Sequence, residues 1–253
     1  MQLAQFLGVR SQAVIKTLCI LGFEKVVDVD KESRTSSSGG SLREDIQIKD
    51  ESPILIVDVK GITGLPSDPE ATQAHRHATM RMKEWERTDI NCLTIINHQR
   101  NIPPLDRENN MPYRQELIDG ASQMDLGLMT TWDLYRLLRS FLRNNWKPEN
   151  IKPLFYKSQR ISIIPTNYEY VGLVKQIWEQ PKAFSVNVEG STLGNNDKIG
   201  IETPIEIFEY EIASLMLNNQ EVTKAEIGNE IGIKTKLFPS YIKKAFRVYK
   251  IKS

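Results

Sequence analysis

Leu3, Phe6, Leu7, Val14, Ile15, Leu18 and Leu21 recur near the helical period, so the pattern predicts a helix over residues 2–22 that stops at Gly22. Residues 23–30 (FEKVVDVD) alternate as a strand does, and residues 31–43 are apolar-poor and rich in Ser and Gly, as a loop is. Two strand-like runs follow, EDIQIK and PILIVDVKG, divided by the turn-forming cluster Asp50-Glu51-Ser52-Pro53. Residues 68–86 read as a helix opened by Asp68 and Pro69, and residues 91–98 as a short apolar strand. A helix over 112–124, a strand over 126–131 and a long helix over 131–146 complete this stretch. Strands alternating with helices, several of them apolar on both faces, predict an α/β sheet covered on both sides.

Beyond about residue 165 the pattern changes. YVGLVKQIWEQ, AFSVNVEG, DKIGIET, IEIFEYEIASLML, EIGIKT and FRVYKI are short strand candidates, separated by turn residues at 181–182, 190–197, 218–221 and 227–230. Such spacing predicts a small closed barrel or sandwich. The expected organisation is an α/β domain over residues 1–160 and an all-β barrel over 165–253, with the boundary between 155 and 165.

Composition adds constraints. Forty per cent hydrophobic and 26% charged residues fit a globular chain with a real core, and the net charge of +1 leaves any affinity for a polyanion to local patches. Cys19 and Cys92 lie in apolar surroundings, lack the paired spacing of a zinc site, and are expected as buried free thiols. With no signal-peptide pattern and no apolar run near the ~20 residues of a membrane span, the expectation is a cytoplasmic protein without membrane association.

The candidate chemistry lies in EDIQIKDESPILIVDVKG. If the chain reverses between Glu51 and Ser52, Asp45 and Asp58 stand opposite one another, with Cβ atoms ~5 Å apart. Alternation puts Asp58 and Lys60 on one face and Val57 and Val59 on the other. Two acids and an ammonium converging at the end of a buried strand are costly unless their charge is compensated. A hard cation such as Mg²⁺ supplies the compensation, and can activate water and polarise a phosphoryl oxygen. The plain alternative is an ordinary Asp58–Lys60 ion pair at a strand end.

The string Asp45…Asp58-Val59-Lys60, on a hairpin after a helix ending LGFE and before a helix holding Gln73, resembles the PD-(D/E)XK, restriction-endonuclease-like nucleases over roughly residues 10–140. The resemblance implies a mixed central sheet flanked by helices, with Asp45 and Asp58 as metal ligands, the Val59 carbonyl as a third and Lys60 as the catalytic lysine. Gln73 matches a glutamine that many members carry after the lysine. It further implies Mg²⁺, with Mn²⁺ as substitute, DNA as the nucleic acid cut, a place in bacterial defence, and action as a homodimer or in a larger assembly. The chain departs from the pattern at Glu44, which replaces a proline, and in residues 2–22, which lack the usual first-helix acid unless Gln2 or Gln5 replaces it. Two other readings therefore stand beside the enzyme: a binding module with a degenerate site, and an effector subunit active only in an assembly or longer polypeptide.

Other residues carry weaker signals. His77 and Arg81 (with His75, Arg76 and Lys83), and His98 with Gln99 and Arg100, are candidates for contacting phosphate; a solvated helix face and a structural histidine are the alternatives. Arg136, Arg139 and Arg143 form a basic stripe that either follows a phosphate backbone or is the wet side of an amphipathic helix. Thr130, Thr131 and Trp132 are expected to cap the helix after them. Trp178 and Phe184 are expected in the barrel core, with base stacking as the alternative. The stretch VGLVKQIWEQPKAFSVNVEGSTLGNNDKIGIET, with Asn196-Asp197-Lys198-Ile199 at its turn, resembles the opening of domain two of translation elongation factor Tu, and EIASLMLNNQEVTKAEIGNEIGIKT resembles its later part. The resemblance implies a barrel that docks RNA, DNA or a protein. A Gly-rich, Lys-Ser/Thr nucleotide motif is missing from the chain, so the GTPase function is excluded.

Overall fold

The computed structural model describes residues 11–29, 43–50 and 52–252. Two compact units emerge, Met1–Leu138 with Lys147–Ile163, and Arg139–Trp146 with Ile164–Ser253.

The first unit is built on a five-stranded mixed sheet in the order β1-β2-β3-β4-β5. These strands are β1 (Val26–Asp28), β2 (Ile46–Ile48), β3 (Ile54–Gly61), β4 (Ile90–Asn97) and β5 (Leu126–Thr130). β1, β2 and β3 run antiparallel, whereas β4 and β5 continue parallel to β3. β3 sits in the middle, and its apolar residues from Ile54 to Val57 are buried as a covered strand requires. Ile54 and Ile56 share a face with Asp58 and join a core that includes Ala71, Ala74 and Ala78. Those alanines belong to two helical pieces, α2 (Asp68–Ala71) and α3 (Gln73–Glu84), and their small side chains let the backbone lie close to the sheet. The single helix expected over 68–86 is thus broken at Thr72. Its cap is Ser67 rather than Asp68, with the Glu70 carboxylate accepting from both the Ser67 N–H and its hydroxyl.

The helix expected over 2–22 is described as α1 (Ser11–Ile20); its earlier part, with Gln2 and Gln5, lies outside the described residues, as do Glu51 and most of the expected 31–43 loop. α1 buries Val14, Thr17 and Leu18, but Cys19 is exposed, contrary to expectation, because it points off that face. Cys92 is buried, and both thiols are free. α4 (Gln115–Ala121) precedes β5, and α5 (Thr131–Asn144) follows it directly. Thr130 caps α5 as anticipated: its hydroxyl accepts from the Asp133 N–H, and Asp133 accepts from Thr130 in return.

The second unit is an antiparallel β domain. Its strands are β6 (Tyr168–Trp178), β7 (Ala183–Asn187), β8 (Leu193–Gly194), β9 (Lys198–Glu202), β10 (Ile207–Leu217), β11 (Gln220–Val222), β12 (Lys224–Ala225), β13 (Glu230–Thr235) and β14 (Arg247–Ile251). Pairing runs β10-β13-β7-β6-β14-β9, and β9 pairs again with β10, so the six strands form a ring. The ring bends where β6 and β10 shift register against their neighbours, and there the inward residues fall three apart: Val171 to Val174, Ile212 to Leu215. Phe184, Val186, Ile199, Ile201, Ile231, Ile233 and Val248 complete an apolar interior. Asn218 and Asn219, both at positive φ, make the two-residue turn from β10 to β11. Among the described residues no helix is long and apolar enough to cross a membrane.

Candidate active site

The pairing of β2 with β3 sets the site. Ile46 stands opposite Val57, so the next step outward brings Asp45 opposite Asp58. The Asp45 carboxylate turns to β3 and accepts the Val59 N–H at 2.6 Å. Asp58 is 2% exposed. Its Oδ1 lies 3.1 Å from His77 Nδ1, while its Oδ2 is buried with no hydrogen-bond partner among the described residues. A buried carboxylate oxygen left without a donor is costly, and its natural complement is a proton donor or a cation.

Lys60 follows on the same face of β3 and is half-buried. Asp58 pairs with His77 rather than with Lys60, so the simple strand-end ion pair is not formed among the described residues. The Lys60 charge is felt at Glu70, whose pKa is lowered first by the Ser67 hydrogen bonds and then by Lys60. Gln73 opens α3, half-buried, one helical turn before His77.

Residues 73, 77 and 81 lie four apart and share one face of α3. His77 meets Asp58, and Arg81 donates to Glu44 Oε1 at 2.7 Å and to Glu84 at 2.7 Å. Glu44 is 1% exposed and also accepts from Gln47. Arg81 further stacks over the Trp85 ring. This corrects the reading of His77 and Arg81 as phosphate contacts: both point into the sheet, and each is committed to an acid. The spacing of Gln73, His77 and Arg81 around Ala74 and Ala78 was the available signal, since alanines mark the face that meets the sheet.

His98 takes the structural alternative rather than a phosphate contact. It is fully buried, its Nε2 3.0 Å from the Glu108 carbonyl, and burial lowers its pKa. Arg100 remains exposed, its guanidinium 3.5 Å from the Gly61 carbonyl. Arg139 and Arg143 are not a free basic stripe, because both pair with the buried Glu206 within the second unit. In the barrel Phe184 is a core residue, but Trp178 is 38% exposed at the end of β6.

Two carboxylates across a strand pair, one with a buried oxygen open, suit a hard cation that completes its shell with water. Asp45, Asp58 and the Val59 backbone are the groups placed to hold it. Among the described residues no three His, Cys, Asp or Glu side chains gather as a metal cluster.

No family model matches the chain, and no curated protein matches it. Among solved structures, the C-terminal domain of a Geobacillus thermoleovorans putative U32 peptidase is similar at 18% identity and a TM-score of 0.28, over 32% of this chain and 96% of that one. Translation elongation factor SelB from Methanococcus maripaludis, in its apo form, is similar at 11% identity and a TM-score of 0.28, over 78% of this chain and 40% of that one. Sup35 complexed with GMPPNP gives 10% identity and a TM-score of 0.29, over 70% and 46%. Likeness at this level assigns neither activity nor ligand.

Proposed function

We propose that the first unit is a restriction-endonuclease-like, metal-dependent nuclease domain of the PD-(D/E)XK type that hydrolyses phosphodiester bonds, with DNA as substrate. The observation that carries the reading is the register that sets Asp45 opposite Asp58 on a buried strand, with Lys60 two residues on and Asp58 Oδ2 open. A bound Mg²⁺ or Mn²⁺ would supply Lewis-acid polarisation of the phosphoryl oxygen and a more acidic water. Asp45 and Asp58 hold the cation, and the Lys60 ammonium orients the attacking water or stabilises charge growing on the phosphate. Gln73 adds a neutral donor at the mouth of the same face. Work within bacterial defence, as a homodimer or larger assembly, belongs to the same proposal.

The test is cleavage of plasmid, linear and single-stranded DNA in Mg²⁺ and Mn²⁺. Asp58→Ala and Lys60→Ala should each lower the rate by more than about a hundredfold without unfolding the chain. Equal cleavage by wild type and both variants ends the nuclease reading.

A second reading is a nucleic-acid or partner-binding module that does not cut, and the lack of a three-residue metal cluster among the described residues favours it. Nucleic-acid binding that persists without any cation-dependent cleavage would select it.

A further inference from the structure

His77 is buried, sits on the helix that covers the candidate site, and is bonded to one oxygen of one acid. We infer that His77 is a positioning residue, whose Nδ1–H donates to Asp58 Oδ1 so that Oδ2 is left facing the cation site. The inference rests on the nuclease reading of Asp45, Asp58 and Lys60. An aspartate rotates freely about χ2, and a single donor fixed to a helix is enough to stop that rotation. His77 is itself held, because α3 packs Ala74 and Ala78 against Ile54 and Ile56 on the same face of β3. One turn further along, Arg81 grips Glu44, the residue before Asp45. One face of α3 therefore fixes both strand segments that carry the acids. Partners of this kind around a metal ligand typically change affinity or activity by about 10–100-fold when removed.

The test measures Mn²⁺ binding to the full chain by calorimetry and by the spectrum of the bound ion, together with DNA cleavage. His77→Ala should weaken Mn²⁺ by about tenfold or more. His77→Asn, whose side-chain NH₂ stands near the place of Nδ1–H, should recover most of the affinity, and thermal melts of both variants report folding separately. Wild-type Mn²⁺ affinity in His77→Ala, with loss in Asp58→Ala, overturns the role of His77 and leaves the nuclease reading intact. Equal loss in a folded His77→Asn variant overturns the donor role too. If wild type and Asp58→Ala bind Mn²⁺ alike, the site itself falls and this inference falls with it.

Discussion

The two units differ in what they bury. The first holds Glu44, Asp58, His77, Arg81, His98, Arg107 and Asp133 inside, whereas the barrel core is apolar and the buried polar residues described in the second unit are Ser140, Ser185, Glu206 and Thr235. A small closed barrel is stabilised chiefly by apolar packing, and its one buried acid among the described residues, Glu206, is paired with Arg139 and Arg143. Ionic groups inside an α/β sheet are another matter, because each must be matched or it weakens the fold. Most are matched: Arg81 with Glu44, Asp133 with the start of α5, Arg107 with Asn97. Among the described acids Asp58 Oδ2 is the exception. In the proposed site a bound cation would offset the cost carried at this oxygen.

The sharpest way to break this contrast is at Glu44–Arg81, which is charged and buried but assigned no chemistry. Arg81→Ala leaves the Glu44 carboxylate buried without its cation, a change that typically costs about 3–5 kcal/mol. Thermal or denaturant unfolding should show that loss, and a Glu44→Leu, Arg81→Met double variant should recover most of it, since apolar pairs of similar volume replace buried ion pairs well. If Arg81→Ala is instead as stable as wild type but fails to cut DNA, Arg81 belongs to the site, and the division between structural and functional charge has been drawn in the wrong place.

Sequence reasoning reached further in one unit than in the other. The six ring strands were legible as runs between Asn, Gly and Pro turns, because a barrel strand is short and its ends are marked by local turn chemistry. The ring order was not, since it depends on pairings between residues as distant as Arg247 and Glu202 on one side of β14 and Arg247 and Leu173 on the other. In the first unit the Asp45–Asp58 juxtaposition could be read from a symmetric hairpin, a local feature. His77 and Arg81 were misplaced because the alanines beside them, Ala74 and Ala78, which mark the face that meets the sheet, carry no charge to draw attention to it. Cys19 and Trp178 were misjudged because burial is decided by partners far away in the chain, as are the ion pairs that hold Arg139 and Arg143 to Glu206.

The barrel half of the contrast can be tested without touching its apolar core. Gly172 lies on β6, and a Cβ placed there would stand 1.8 Å from the carbonyl oxygen of Asn187 and 3.0 Å from Val186 Cγ1. Backbone cannot yield as a flexible side chain does, so β6 and the chain end of β7 must separate. Gly172→Ala should therefore destabilise the barrel by about 1–3 kcal/mol, the range of overpacked sites. Hydrogen exchange that rises in β6 and β7 while β3 and β4 stay protected would show the two units to be energetically distinct. Uniform loss of protection would show them to unfold together.

The smallest effect concerns a charge in the first unit that is matched from the start. Burial raises the pKa of Asp50, but its carboxylate accepts the N–H groups of Lys25 and Glu24 and pairs with Lys152 at 2.9 Å, and the net result is a pKa below the ordinary 3.8. A depressed acid stabilises the fold above its unfolded pKa, and that contribution fades as pH falls through the lower, folded value. Asp50→Asn should thus cost about 1 kcal/mol near neutrality, and the gap between variant and wild type should close as the pH drops below about 4. A gap independent of pH would assign the loss to altered hydrogen bonding at β1 rather than to charge. It would also leave the first unit with less electrostatic stabilisation than its matched pairs imply, and make the open oxygen of Asp58 harder to carry without a ligand.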